Sequence, residues 1–288
     1  MDLQERSRSY QGNIYFENPN NTWVIQYQFI PENAAVLDVG CANGELGKVL
    51  FQNKNCAVYG MDYNEFSLEN ARKSGAYREL HQVDLNVFSG SEFPHLHGLF
   101  DYIILGDVLE HLTEPDQVLE KLKKFLRPAG FFLISLPNLA HISIKLQLIH
   151  DEFNYTQTGL LDQTHIHFFT WKTLPKFFAD LSMKIEKATA TIEPLTEGEE
   201  TCRFRKLPLG MRKLFFDDIH SWVFQYIMLV SVAGGKEELE MQNRGCLEFT
   251  KDSVAGEIWL FHTRKKRFLS IYFPKLMAFW ERFMNKKR

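Results

Sequence analysis

Val36-Leu37-Asp38-Val39-Gly40-Cys41-Ala42-Asn43-Gly44 is an apolar run that breaks into a glycine-bearing turn. From Ala34 to Val39 the only polar residue is Asp38, the pattern of a central parallel strand covered on both faces. Gly40 and Gly44 let the backbone turn tightly and approach a ligand with no Cβ in the way. Leu46, Val49 and Leu50 then recur at helical spacing, so a helix should open just beyond the loop. Strand, glycine turn and helix build the ligand crevice at the carboxyl end of a doubly wound sheet. A nicotinamide-type G-x-G-x-x-G begun at Gly40 would need glycine at 42 and 45, where Ala42 and Glu45 stand.

Outward from this stretch the same alternation continues. Val58–Asp62 reads as a second apolar strand ending in an acid, followed by a helical stretch at Glu65–Arg72. An acid in that place lies beside the first glycine loop and can accept hydrogen bonds from a ribose diol. Gln82-Val83-Asp84-Leu85 reads as the end of a third strand and Phe100–Leu105 as a fourth, followed by Gly106-Asp107-Val108-Leu109-Glu110-His111-Leu112. Arg127-Pro128-Ala129-Gly130 is expected to stop a helix, and Phe131–Leu136 to form the fifth strand. In order, these segments resemble the class I S-adenosylmethionine-dependent methyltransferases, whose first motif has the pattern V-L-D-x-G-C-x-x-G. The Leu-Glu-His segment after strand four is similar to that of many small-molecule O-methyltransferases.

The resemblance implies an α/β fold: a doubly wound, mostly parallel seven-stranded sheet of Rossmann-like methyltransferase type, helices on both faces, and a C-terminal helical extension. It implies S-adenosylmethionine as cofactor, held by Asp38, Gly40, Cys41, Gly44, Asp62, Tyr63, Asp84, Leu85 and Gly106, with the adenine near Asp84. Bland alternatives stand beside these roles. Asp38 could tie down the glycine loop by accepting backbone N–H groups, Asp62 could cap the helix that starts near Asn64, and Cys41 reads as a small packed side chain.

Composition agrees with an ordinary globular protein. The 288 residues, 45% hydrophobic, can bury a sizeable core as one domain or two. A formal net charge of -3 gives no global nucleic-acid footprint. Cys41, Cys56, Cys202 and Cys246 show no C-x-x-C spacing and no disulfide framework, which favours a reducing cytoplasm. No signal peptide is visible, and no apolar run reaches transmembrane length.

Residues 1–33 read as a polar N-terminal lead-in or lid that turns apolar at Trp23–Ile30. Residues 34–235 form the methyltransferase domain, with a lid-like or substrate-facing insertion at 138–163. The helix Trp171–Leu181, the strand Lys184–Thr191 and the strand Val223–Val232 complete it, and 236–288 is a basic extension. In Arg264–Arg288 nine Lys/Arg face a single acid, Glu281, and Leu276, Phe279, Trp280 and Phe283 share a helical face. That pattern suits peripheral contact with the inner membrane surface, or a helix docked on its own acidic domain.

Asp107, Glu110 and His111 fall at i, i+3 and i+4, so a helical turn would present them together. Downstream, His165 and His167 alternate as on an extended segment. Carboxylates with a remote histidine are the donor types of a divalent-metal site, and something similar occurs in small-RNA 2′-O-methyltransferases and ubiquinone-pathway O-methyltransferases. A metal is the lesser alternative; the first expectation is that His111, His165 and Glu110 form the catalytic group. A sulfonium methyl is already activated, so the enzyme must chiefly align nucleophile, methyl and sulfur. A hydroxyl acceptor needs its proton removed, and an imidazole suits that task, which favours O-methylation.

The segment L-D-x-T-H-x-x-F-F-T-x-x-T-L around His165 resembles bacterial methyltransferases of cell-surface glycan pathways, which points to a sugar hydroxyl. A phenol or quinone precursor is the second acceptor, and an RNA 2′-hydroxyl the third, disfavoured by the acidic main domain. A non-catalytic scaffold with this fold is the alternative of another class.

Overall fold

The computed structural model describes residues 14–195 and 198–232. The first 13 residues of the expected lead-in, and the whole basic extension with its helix at 264–288, lie outside the described residues. Helix α1 (Thr22–Phe29) leads into strand β1 (Ala35–Val39), helix α2 (Glu45–Lys54), β2 (Ala57–Asp62), α3 (Glu65–Lys73), β3 (Tyr77–Gln82) and β4 (Phe100–Gly106). Next come α4 (Pro115–Leu122), β5 (Leu126–Pro137), α5 (Ile142–Ile149), α6 (Leu174–Asp180), β6 (Met183–Ile192), α7 (Glu199–Lys206), α8 (Leu209–Asp217) and β7 (Val223–Val232).

The strands form one seven-stranded sheet in the order β3-β2-β1-β4-β5-β7-β6, all parallel except β7, which runs antiparallel to both β5 and β6. This is the doubly wound sheet expected from the sequence. Alternation along β1 explains its two-sided burial. Leu37 and Val39 join Ile103, Phe132 and Met228 in a core closed by Val118, Leu122 and Phe178 of α4 and α6. Val36 faces the other way, where Val58, Ile104 and Leu133 pack under Ile25 of α1 and Leu46 and Leu50 of α2. Order reversal at β1/β4 opens the ligand crevice at their carboxyl ends.

Three local expectations need correction. Arg127–Gly130 does not stop a helix: α4 ends at Leu122, a 3₁₀ turn follows at Lys123–Phe125, and 127–130 lie inside β5 as a register irregularity with Ala129 at φ 66°. The helix read as Trp171–Leu181 is confined to Leu174–Asp180, where Pro175 can enter only in the first turn. Trp171 stacks instead on His220, ring centroids 5.3 Å apart. The stretch 138–163 is not irregular throughout. It holds α5, whose Ile142 and Leu146 pack with Phe204, Leu207 and Trp222, so its first half is scaffold. Among the described residues no helix is long and apolar enough to cross a membrane.

Candidate functional site

The glycine loop hangs from β2. Gly40 and Cys41 donate their N–H groups to the Met61 carbonyl at 2.7 and 3.1 Å, and Ala42 N–H donates to Asp62 Oδ2 at 2.8 Å. Gly40 sits at φ 72°, and a Cβ there would lie 2.6 Å from Val108 Cγ2. The loop after β1 therefore abuts the segment after β4, and glycine at 40 is required by this packing as well as by its positive φ. Asp62 Oδ1 accepts from Asn64 N–H at 2.8 Å, while the cap of α3 is Asn64 itself, whose side chain accepts from Phe66 N–H. So Asp62 is no helix cap. It braces the loop at the carboxyl end of β2, with burial raising its pKa against the backbone donors.

Asp38 does not tie down the loop. Its Oδ2 accepts from the phenol of Tyr77 at 2.8 Å, and burial lifts its pKa to about 7. Cys41 is buried and its thiol pushed well above the ordinary range, so it is an inert packing group. Tyr63 is half exposed at the end of β2, and its carbonyl accepts from Gln82 Nε2 at 3.1 Å. Asp84 is exposed and closes a turn on Asn86 N–H at 2.9 Å, whereas the Leu85 side chain joins the main core. A Cβ on Gly106 would stand 3.0 Å from Gln26 Nε2. Gly40, Cys41, Asp62 and Gly106 thus line one carboxyl edge, with Tyr63 and Asp84 on its β2–β3 side. Such a cradle fits an adenosyl cofactor: Asp62 would meet the ribose and the Gly40–Gly44 backbone the amino-acid portion.

The expected helical turn through Asp107, Glu110 and His111 does not form. Asp107 sits at φ 56°, and only Leu109–His111 make a 3₁₀ turn before Pro115 opens α4. Asp107 instead points back across the sheet, accepting from Ser135 Oγ at 2.9 Å and Gln225 Nε2 at 2.8 Å. Gln225 Oε1 in turn accepts from Thr22 Oγ1 of α1 at 2.5 Å. Thr22, Gln26, Ser135 and Gln225 went unnoticed in the sequence. The available signal was a lone polar side chain within an otherwise apolar element, seen at Ser135 in Phe131–Leu136.

His165 and His167 do not share a strand face. Ile166 and His167 both donate their N–H groups to the Glu110 carbonyl, at 2.9 and 3.1 Å, which docks the segment on the 109–111 turn. His167 Nε2 turns to the Thr113 carbonyl, while His165 is buried and meets His111 edge to face at 4.8 Å between centroids. His165 Nδ1–H donates to the Leu160 carbonyl at 3.1 Å, and His111 Nδ1–H donates to the Thr164 carbonyl and hydroxyl at 3.2 and 3.0 Å. Anchoring Nδ1 in this way leaves Nε2 of each neutral ring as its basic nitrogen.

Between them lies Glu110, fully buried, with neither carboxylate oxygen hydrogen-bonded. Burial and the nearby Asp107 charge push its pKa well above the usual carboxylate range. One donor atom from each of Glu110, His111 and His165 lies within 4.8 Å of the others. An orphaned buried carboxylate beside two oriented imidazoles fits a divalent cation, and equally fits a proton held on Glu110.

The family profile described as "Methyltransferase domain" matches residues 30–189, more than half of the chain. The ubiquinone biosynthesis O-methyltransferase of Thiobacillus denitrificans is 26% identical over 164 residues, 56% of this chain and 70% of that protein. A probable S-adenosylmethionine-dependent methyltransferase of Mycolicibacterium smegmatis is 28% identical over 41% of this chain and 46% of its own. The Neisseria meningitidis ubiquinone biosynthesis O-methyltransferase is 28% identical over 36% and 44%. In the last two, the match spans under half of the relative's length. Among solved structures, an O-methyltransferase from a Brevibacillus brevis polyketide synthase, in complex with S-adenosylhomocysteine, has TM-score 0.52 at 15% identity, covering 82% of each chain. The cyclase SpnF has TM-score 0.51 at 12% identity, covering 81% and 93%. These two likenesses show the fold alone.

Proposed function

We propose a function for a chain that belongs to the class I S-adenosylmethionine-dependent methyltransferase family: transfer of the sulfonium methyl to a hydroxyl oxygen of a small-molecule acceptor. The observation that carries this reading is the His111–His165 pair, each ring oriented through Nδ1 on a backbone carbonyl. A hydroxyl must lose its proton as the new bond forms, and an oriented imidazole Nε2 can take it. The loop and Asp62 hold and aim the donor, so alignment supplies most of the remaining acceleration.

We assign the acceptor to a crevice of about 370 Å³ lined in part by Asn21, Thr22, Thr191, Phe224 and Gln225 and joined to Asp107 through Gln225. Amide and hydroxyl groups beside one aromatic ring suit a hydroxyl-rich acceptor such as a sugar. The ubiquinone-pathway names of the relatives support a phenolic acceptor instead. Transfer from methyl-labelled S-adenosylmethionine to a simple glycoside and to a catechol, followed by assigning the methylated atom, tests the reading. Label recovered only on nitrogen or carbon overturns it. Within O-methylation, His111→Ala and His165→Ala should each lower kcat by about 10²–10⁴ while leaving S-adenosylhomocysteine affinity near wild type.

A second reading rests on the unpartnered Glu110 carboxylate. There Glu110, His111 and His165 would hold a divalent cation, which when bound would lower the pKa of an acceptor hydroxyl. Loss of turnover on chelation, restored by a divalent ion, supports this reading; chelator-insensitive turnover leaves the imidazole base.

A further inference from the structure

At the β3 edge of the sheet, a second group of side chains converges. Strand β3 is the edge strand, and its Glu79 and His81, two residues apart, project from one face. His95 comes to them from the separate 3₁₀ turn Pro94–Leu96 in the β3–β4 connection. His81 Nε2 and His95 Nε2 each lie 3.0 Å from the same atom, Glu79 Oε2. The imidazoles keep Glu79 ionised: the His95 hydrogen bond, opposed by slight burial and helped by His81, holds its carboxyl below the ordinary range. Phe93 packs on the His81 ring, centroids 4.4 Å apart, and restricts it.

We propose that Glu79, His81 and His95 form a surface site for a zinc-class divalent cation, distinct from the Glu110 cluster. Three ligand atoms already lie within 4.8 Å of one another, on elements that are separate in sequence. Adjacent ligands of a tetrahedral zinc stand about 3.3 Å apart, close to the 3.0 Å that separates Glu79 Oε2 from each imidazole Nε2. Two imidazoles with one carboxylate favour zinc, nickel or copper over magnesium or calcium. Side-chain exposures of 20% for His81, 39% for Glu79 and 54% for His95 leave a fourth position open to water or an exchangeable ligand. The bound ion would staple edge strand β3 to the 94–96 turn. Gln82, next in sequence to His81, donates to the Tyr63 carbonyl, so the staple would also steady the rim of the cofactor crevice.

Zinc titration by calorimetry on the full, tag-free chain, stripped with a chelator, tests the assignment. The wild type should bind zinc with a Kd below about 10 μM. His95→Ala and His81→Ala should each lose that equivalent, while S-adenosylhomocysteine affinity compared on zinc-free protein stays at the wild-type value. Zinc should raise the thermal midpoint of the wild type and not of either variant. Cobalt(II) should give the visible absorption of a four-coordinate site, absent in Glu79→Gln. No zinc uptake at this concentration, or full stoichiometry retained in both histidine variants, overturns the proposal and leaves the three side chains as a surface ion-pair cluster.

Discussion

Tyr77 of β3 reaches across the whole width of β2 to donate its phenolic hydrogen bond to Asp38 of β1, at 2.8 Å. The crossing is possible because the β2 residue paired with Asp38 is Gly60. A Cβ at Gly60 would meet the Tyr77 ring at 2.9 Å and Leu80 at 2.6 Å. Asp38 is therefore tied to β3 across β2, and not to the N–H groups of the glycine loop.

This pair sets a pH dependence. Burial raises the Asp38 pKa from 3.8 to about 7, so the folded cofactor-free protein keeps a proton that the unfolded chain has lost. Stability from this group is complete below about pH 4 and declines until about pH 7. Asp38→Asn should flatten that part of a chemical-denaturation profile. A residual decline remains, because Asp62, Asp107 and Glu110 are raised in the same direction. Tyr77→Phe removes the donor that favours the carboxylate and should extend the decline to higher pH. A profile unchanged in both variants would contradict the assignment.

Asp62 contributes to the loop and, on the reading above, to the ribose. Asp62→Ala removes the acceptor for Ala42 N–H and Asn64 N–H together. It should weaken S-adenosylhomocysteine binding by about 1–3 kcal/mol. Calorimetry on a variant with native circular dichroism decides it, and wild-type affinity there would remove Asp62 from the site.

Gly40→Ala should be damaging in two separable ways. The φ of 72° costs an L-residue about 1–2 kcal/mol, and the contact with Val108 adds overpacking of about 1–3 kcal/mol. In the double variant Gly40→Ala/Val108→Ala the steric part should return and the backbone part persist. Equal thermal midpoints for single and double variants would show that Val108 is not what the new methyl meets.

Glu110 should behave as a group kept at the expense of stability. In chelated protein, Glu110→Met replaces an orphaned buried carboxyl with an apolar side chain and should stabilise by about 1–3 kcal/mol. Turnover should fall at the same time, the trade-off expected of a functional position. A destabilised Glu110→Met with full activity would mark the residue as ordinary scaffold.

The basic segment Arg264–Arg288 makes a sequence-level prediction. Its affinity for vesicles should grow with anionic lipid and fall with salt, and Trp280→Ser with Phe283→Ser should release the protein without changing cofactor affinity. Non-binding of both the full chain and a chain truncated before Arg264 would refute the membrane reading.

The β-strands were legible because a parallel strand buried on both faces must be largely apolar, and Val36–Val39, Val58–Asp62 and Phe100–Leu105 each carry a single acid, Asp38, Asp62 and Asp101, in an otherwise apolar run. Glycine at 40 and an acid at 62 were legible because the turn and the brace impose local demands on residue type. The Arg127–Gly130 segment was misread, since Pro and Gly mark a strand bulge as readily as a helix stop.

The order of strands and helices and the glycine crevice are therefore written along the chain itself. Those follow from period, burial and backbone freedom, which are properties of neighbours along the chain; the kind of cofactor follows from the resemblance of the ordered motifs to a known family. Packing between elements makes Asp38 answer to Tyr77, turns Asp107 back to Gln225, and brings His165 against His111 over an unpartnered Glu110. Each of these pairs residues 39 to 118 positions apart, through side chains whose direction depends on packing between elements. Hydrogen bonds and desolvation depend on separation in space, and no periodicity along the chain encodes that distance.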